Sequence, residues 1–96
     1  SSPSEILAAF YEKMGPRGRI ALVEYREEDP NVPIKPRHKM SQNQAMREFE
    51  ANRFKLVGQF DELPWQHVLF FARDDSELRN VQLQKWNPKE SSKIAP

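Results

Sequence analysis

The sequence predicts a small α/β domain in the order helix, strand, helix, and two-stranded hairpin. Three observations carry this prediction. A capping-box helix start precedes apolar residues at three- and four-residue spacing near the N-terminus. The run Ile20-Ala21-Leu22-Val23 is apolar on consecutive positions, the mark of a strand covered on both faces. Finally, two β-type segments are separated by only Asp61-Glu62-Leu63-Pro64-Trp65-Gln66, too short a link for a parallel crossover.

The first helix is set by Ser2 as cap, Pro3 at the first helical position and Glu5 completing the box. Ile6, Leu7, Phe10 and Met14 form its predicted inward stripe. Gly15-Pro16-Arg17-Gly18 ends it, since glycine accepts a left-handed cap and proline cannot continue the ladder. The strand at 19–25 then turns polar at Glu24-Tyr25-Arg26 and enters a charged loop stiffened by Pro30, Pro33 and Pro36. Ser41 and Gln44 make a second capping box. Ala45, Met46 and Phe49, with the Arg53 stem or Phe54, form the second inward stripe, and the helix ends near Asn52 or Arg53. Residues 54–60 and 67–72 are the hairpin strands. Adjacent Phe70 and Phe71 put large apolar groups on both faces of the latter, which therefore belongs between neighbours. The crossover from the first strand to the second, if both share a sheet, is right-handed. Residues 76–86 fit a weak helix through Leu78 and Val81 or an alternating strand from Val81, and residues 87–96 read as a disordered tail.

Composition bounds what the chain can be. Its 96 residues make one domain at most, with 38% apolar and 30% charged residues. A formal net charge of +1 gives no overall drive toward nucleic acid or an anionic membrane. Cysteine is absent, which excludes disulfides and thiol catalysis and favours a cytoplasmic setting. The apolar runs are too short to cross a bilayer, and the N-terminus lacks a basic-then-apolar signal pattern.

The stretch Lys13-Met14-Gly15-Pro16-Arg17-Gly18-Arg19-Ile20-Ala21-Leu22-Val23-Glu24-Tyr25 resembles the passage into the fifth strand of class I S-adenosylmethionine-dependent methyltransferases. Glu28-Asp29-Pro30, the segments 32–36 and 38–40, and LPWQHVLFF at 63–71 resemble one bacterial branch of that family. The likeness covers about residues 3–73. It implies a partial Rossmann-like methyltransferase sheet at the C-terminal end of the fold, closed by an antiparallel hairpin. In the family's sheet of seven strands the last is inserted antiparallel between the fifth and sixth. Residues 1–73 would form this α/β segment and 74–96 a polar, partly disordered tail. Where relatives usually have glycine before the sixth strand this chain has Arg53, and Asn52 is the residue expected to adopt the left-handed conformation.

The cofactor half of such an enzyme is not represented. The glycines are Gly15, Gly18 and Gly58, with no GxGxG, and Gly15 to Gly18 connects helix to strand, the reverse of a cofactor turn. No cofactor site is therefore predicted in this chain alone, and S-adenosylmethionine is implied only if the missing half is present. The resemblance makes Glu24, Tyr25 and Arg26 candidates to face a methyl acceptor, against the simpler reading that the strand there meets solvent. Lys35, Arg37, His38 and Lys39 could hold a phosphate or carboxylate. Glu27, Glu28 and Asp29 in the same loop could pair with them internally, so a solvated or self-paired loop is the expectation. His38 and His67 are the only histidines and lack metal-type spacing, so no metal is expected, and His67 reads as packed or hydrogen-bonded. Trp65, Phe70 and Phe71 read as core, and Trp86 as an anchor for the tail. Aromatic residues are not interleaved with the bases, which argues against nucleic acid. In a partial sheet the strand from Ile20 to Tyr25 has a bare edge. The predicted outcome is self-association through it, or a rearranged sheet in which residues 81–86 cover it.

Overall fold

A computed structural model describes residues 3–87. Ser2, the expected first cap, lies outside them, as do residues 88–96 of the expected tail. The elements are α1 (Pro3–Met14), β1 (Ile20–Arg26), a 3-10 turn (Pro36–His38), β2 (Lys39–Met40), α2 (Gln42–Ala51), β3 (Phe54–Phe60) and β4 (Gln66–Arg73). The sheet runs β2-β1-β4-β3. β4 is antiparallel to both neighbours, pairing Ile20 with Phe71 and Leu22 with Leu69 on one side, and Phe54 with Arg73 on the other. β1 and β3 are thus parallel with the final strand between them. Phe70 and Phe71 point to opposite faces of this central strand, as their adjacency predicts.

The main apolar cluster lies on the helix-covered face. Leu69 and Phe71 of β4 pack with Phe54 and Leu56 of β3, Leu7 and Tyr11 of α1, and Ala45 and Phe49 of α2. Phe49 stacks on Phe71 with ring centroids 4.0 Å apart. Because the residues that α1 and α2 bury belong to this one cluster, both helices lie on the same face. The opposite face carries Ala21, Val23 and Tyr25 beside Val68 and Phe70, and Val23 is 54% exposed. The expectation that β1 is covered on both faces is therefore corrected: its apolar run has a helix layer on one side only. Phe70 lies over Gly58 on this open face, close enough that a Cβ on Gly58 would stand 3.2 Å from its ring.

Two helix details also differ from expectation. In α1 the inward positions are Leu7, Tyr11 and Met14, whereas Ile6 and Phe10 are 44% and 49% exposed. Tyr11 takes the inward place because its ring is held by Arg53 and Arg73 at 4.3 and 4.2 Å while its hydroxyl donates to Asp74. At the end of α2, Arg53 rather than Asn52 is left-handed, with φ of 74°, and Asn52 stays at −110°. Asn52 instead donates its side-chain amide to the Glu48 carbonyl, closing the last turn. The Ser41 cap is as expected, its hydroxyl oxygen accepting from the Gln44 amide.

After β4 the chain makes no further helix or strand within the described residues. The Val81 amide donates to the Leu56 carbonyl, Leu83 packs against the core, and the Gln84 carbonyl accepts from Gln42 and Gln59 side chains. This segment straps β3 to the start of α2. It does not cover β1, which overturns the rearranged-sheet alternative: β3, not β1, offered the backbone partner. β2 pairs only with Tyr25 and Arg26, so the outer edge from Ile20 to Glu24 has no partner strand among the described residues.

Candidate functional site

Function in an α/β sheet collects where strands end and loops begin. Here that end is the meeting of the last residues of β1, the first of β4 and the N-terminus of α2. The antiparallel register sets Glu24 opposite His67 and Tyr25 opposite Gln66, while the parallel register sets Tyr25 opposite Lys39.

Arg26 is 1% exposed, the most deeply buried cation among the described residues. Its backbone amide donates to the Trp65 carbonyl, Nη1 donates to the Leu63 carbonyl at 2.7 Å, and Nη2 donates to the Asp61 carbonyl at 3.0 Å. The Trp86 ring lies 5.3 Å from its guanidinium carbon. Burial lowers its pKa, and Asp61, Asp29 and Glu28 act against that shift. Through Nη1 and Nη2 the guanidinium clamps the 61–65 connection to β1, while its Nε is buried without a hydrogen-bond partner among the described residues.

Beside it, Glu28 is held by two donors. His67 Nε2 lies 2.7 Å from Glu28 Oε1, and the Gln42 amide donates to Glu28 Oε2 at 2.7 Å. Burial pushes the Glu28 carboxyl up, but the His67 and Gln42 hydrogen bonds outweigh it and hold the group below the usual carboxylate range. Glu28 also places a negative charge at the positive end of α2. Asp61 Oδ1 lies 3.8 Å from both Arg26 Nη2 and His67 Nδ1, too far for a direct hydrogen bond to either, and its Oδ2 accepts from Gln59. With Glu28 ionised, His67 Nε2 is the donor of the short bond, which fixes the orientation of the ring.

The predicted site residues separate into four groups. Arg26 is structural in its contacts, buried and bonded to carbonyls. Glu24 is half-buried, and burial, with Glu48 nearby, raises its pKa. Tyr25 sits on the open face, partly exposed. Lys35, Arg37 and His38 project from the exposed loop, where Arg37 Nε lies 3.4 Å from His38 Nε2. Of the two expected outcomes, a solvated loop or one paired with its own acids, these three bases take the first. Glu28 is taken by His67 and Gln42, and Asp29 Oδ1 accepts from the Asn31 amide. Only Lys39 reaches the acidic stretch, donating to the Asp29 carbonyl. Among the described residues no ion pair joins Lys35, Arg37 or His38 to a carboxylate.

The Glu28–Asp61–His67 cluster was missed in the sequence because its members are up to 39 positions apart. The only signal for it was indirect: an antiparallel hairpin must bring the start of its second strand to the loop end of β1. Among the described residues no group of three or more His, Asp or Glu side chains could hold a metal ion, and no helix is long and apolar enough to cross a membrane. A cavity of about 160 Å³ lined by Ala8, Tyr11, Glu12, Ala51, Asn52 and Arg53 lies near the far end of β4, away from this cluster.

No family model and no curated protein matches the sequence. The structure is similar to a crystal structure from Sulfolobus solfataricus described as a "putative type 11 methyltransferase". The TM-score is 0.66 at 17% identity, over 88% of this chain and 48% of that one. The chain therefore has a methyltransferase-like α/β fold and spans about half the length of that neighbour.

Proposed function

We propose that this chain is the C-terminal segment of an S-adenosylmethionine-dependent methyltransferase-like protein and does not bind the cofactor by itself. The observation that carries the reading is the sheet order β1-β4-β3, with the last strand inserted antiparallel between two parallel ones. The similar fold of the Sulfolobus protein supports it. So does the left-handed backbone at Arg53, the position where the resembled family carries glycine.

The residues present do not fit the cofactor. The passage from β1 to α2 contains no glycine, and the α2 N-terminus is already occupied by the Glu28 carboxylate. Gly15 caps α1 with φ of 69°, and Gly58 lies under Phe70. No step of methyl transfer is therefore assigned to these residues. Their contribution is positional: Arg26, Glu28 and His67 hold the loop ends in place, while Tyr25 with the loop bearing Lys35, Arg37 and His38 forms the acceptor-side wall of a cytoplasmic enzyme.

Titration calorimetry with S-adenosylmethionine tests the reading, with no heat of binding expected below millimolar ligand. Micromolar binding by this chain alone would overturn it. A second reading, a non-catalytic module binding an anion or an acidic protein, rests on the exposed bases Lys35, Arg37 and His38, which have no carboxylate partner among the described residues. It predicts chemical-shift changes confined to the 35–38 loop on addition of inorganic phosphate.

A further inference from the structure

Three polar side-chain atoms at the loop end of the sheet are buried without a hydrogen-bond partner among the described residues: Arg26 Nε, Asp61 Oδ1 and His67 Nδ1. They belong to one cluster. Asp61 Oδ1 lies 3.8 Å from His67 Nδ1 and 3.8 Å from Arg26 Nη2, and Nε is the neighbouring nitrogen of that same planar guanidinium. The other polar atoms of the three side chains are occupied. Nη1 and Nη2 donate to the Leu63 and Asp61 carbonyls, Asp61 Oδ2 accepts from Gln59, and His67 Nε2 meets Glu28. Buried polar groups are almost always paired, with protein or with ordered water, so three orphans at one place call for a common partner.

The chemistry of the three atoms identifies that partner. The Arg26 Nε–H can only donate, and a carboxylate oxygen can only accept. His67 Nδ1 accepts on a neutral ring whose Nε2–H donates to Glu28, and donates on a charged ring. A bound cation would leave the guanidinium unmatched, and a bound anion would leave the carboxylate unmatched. Only a molecule that both donates and accepts meets all three. We propose that one ordered water molecule is held there, accepting from Arg26 Nε and donating to Asp61 Oδ1 and His67 Nδ1. Three bonds are the usual complement of a buried water. Bonds of about 2.8 Å to two atoms 3.8 Å apart meet at the water oxygen at about 85°, which slightly bent hydrogen bonds accommodate. Arg26 and His67 are 1% and 2% exposed, which closes the site to bulk solvent. The water joins the end of β1, the start of β4 and the connection between β3 and β4 at one point, completing the cluster that holds the loop ends in place. The site rests on the orphaned atoms and not on the methyltransferase reading.

A high-resolution crystal structure of the full chain reads the site directly. The expected map has an ordered water peak about 2.7–3.2 Å from each of Arg26 Nε, Asp61 Oδ1 and His67 Nδ1. A map without that peak would overturn the proposal, as would one in which the Asp61 carboxylate bonds directly to His67 Nδ1 or Arg26 Nε. In solution, oxygen-17 relaxation dispersion counts the waters that stay bound for longer than the protein tumbles. Asp61→Glu carries the carboxylate one methylene further, into the place of the water and toward His67 Nδ1. The variant is expected to lose one long-lived water relative to wild type, with its circular dichroism unchanged. Equal counts from a folded variant would overturn the proposal, and the wild-type map decides the question if the variant does not fold. Micromolar binding in the cofactor titration would leave both readouts unaffected.

Discussion

Removing Glu28 tests whether the loop end of the sheet is held by one carboxylate with two bonds. In Glu28→Ala the His67 ring loses its 2.7 Å partner and the Gln42 amide loses its cap, in a residue only 3% exposed. Hydrogen bonds to a charged group are worth about 1.5–3 kcal/mol each. The Glu28 side chain is 28% exposed, so part of that value is already spent on solvent. A loss of about 2–4 kcal/mol at pH 7 follows, a drop in Tm on the order of 10–25 °C for a domain of this size. Glu28→Gln keeps the shape and one acceptor, and its loss should be about 1–2 kcal/mol. The pH dependence has a definite sign. The folded-state pKa of Glu28 lies below its unfolded value, so its stabilisation is complete above the unfolded carboxyl range, about pH 4.3. It is lost as pH falls through the folded value, and the gap between wild type and Glu28→Ala should close in that window. Urea unfolding followed by fluorescence at pH 7, 5, 4 and 3 measures this. A Glu28→Ala protein within about 0.5 kcal/mol of wild type at pH 7 would refute the reasoning, as would a gap that does not change with pH.

Glu24 should behave in the opposite sense. Its folded pKa is raised by burial and by Glu48, so its ionisation opposes folding and stability falls as pH rises through the window between the two values. Glu24→Gln is expected to be more stable than wild type at pH 7 and equal to it below the unfolded carboxyl range; equal unfolding midpoints at pH 7 would count against this. Arg53 carries a left-handed backbone at φ of 74°, which glycine adopts freely and alanine does not. Both Arg53→Gly and Arg53→Ala lose the contact over Tyr11. Thermal melts should therefore find the glycine variant more stable than the alanine variant by about 1 kcal/mol, and equality would mean that no strain resides there.

The local parts of this fold were legible because their signals are local. Ser41 and Gln44 specify a capped start wherever α2 packs, and Phe70 beside Phe71 requires a strand with neighbours on both sides. Geometry that depends on distant partners was not legible. Tyr11 is buried in place of Phe10 because Arg53, Arg73 and Asp74, up to 63 positions away, supply charges for its ring and an acceptor for its hydroxyl. Arg53 adopts the left-handed turn because Asn52 closes the helix through its side chain. Val23 reads as core by hydropathy, yet it lies on the face that neither helix covers. The two-residue β2 is too short to leave any periodic trace.

The candidate site illustrates the same division more sharply. Three consecutive polar residues end β1, and the sequence offers no means of ranking them. Strand alternation separates them: Glu24 shares the core face with His67, Tyr25 shares the open face with Gln66 and Lys39, and Arg26 turns in beneath the 61–65 connection. A buried guanidinium bonded to two carbonyls cannot also bind an acceptor without releasing that connection, and leaving those carbonyls unpaired would carry the cost of a buried unsatisfied group. Glu28 is committed in the same way, because His67 and the α2 amide take both its oxygens. What remains free to meet a ligand is Tyr25 on the open face and the exposed bases of the 35–38 loop. The rigid cluster behind them is what would hold those groups at fixed positions.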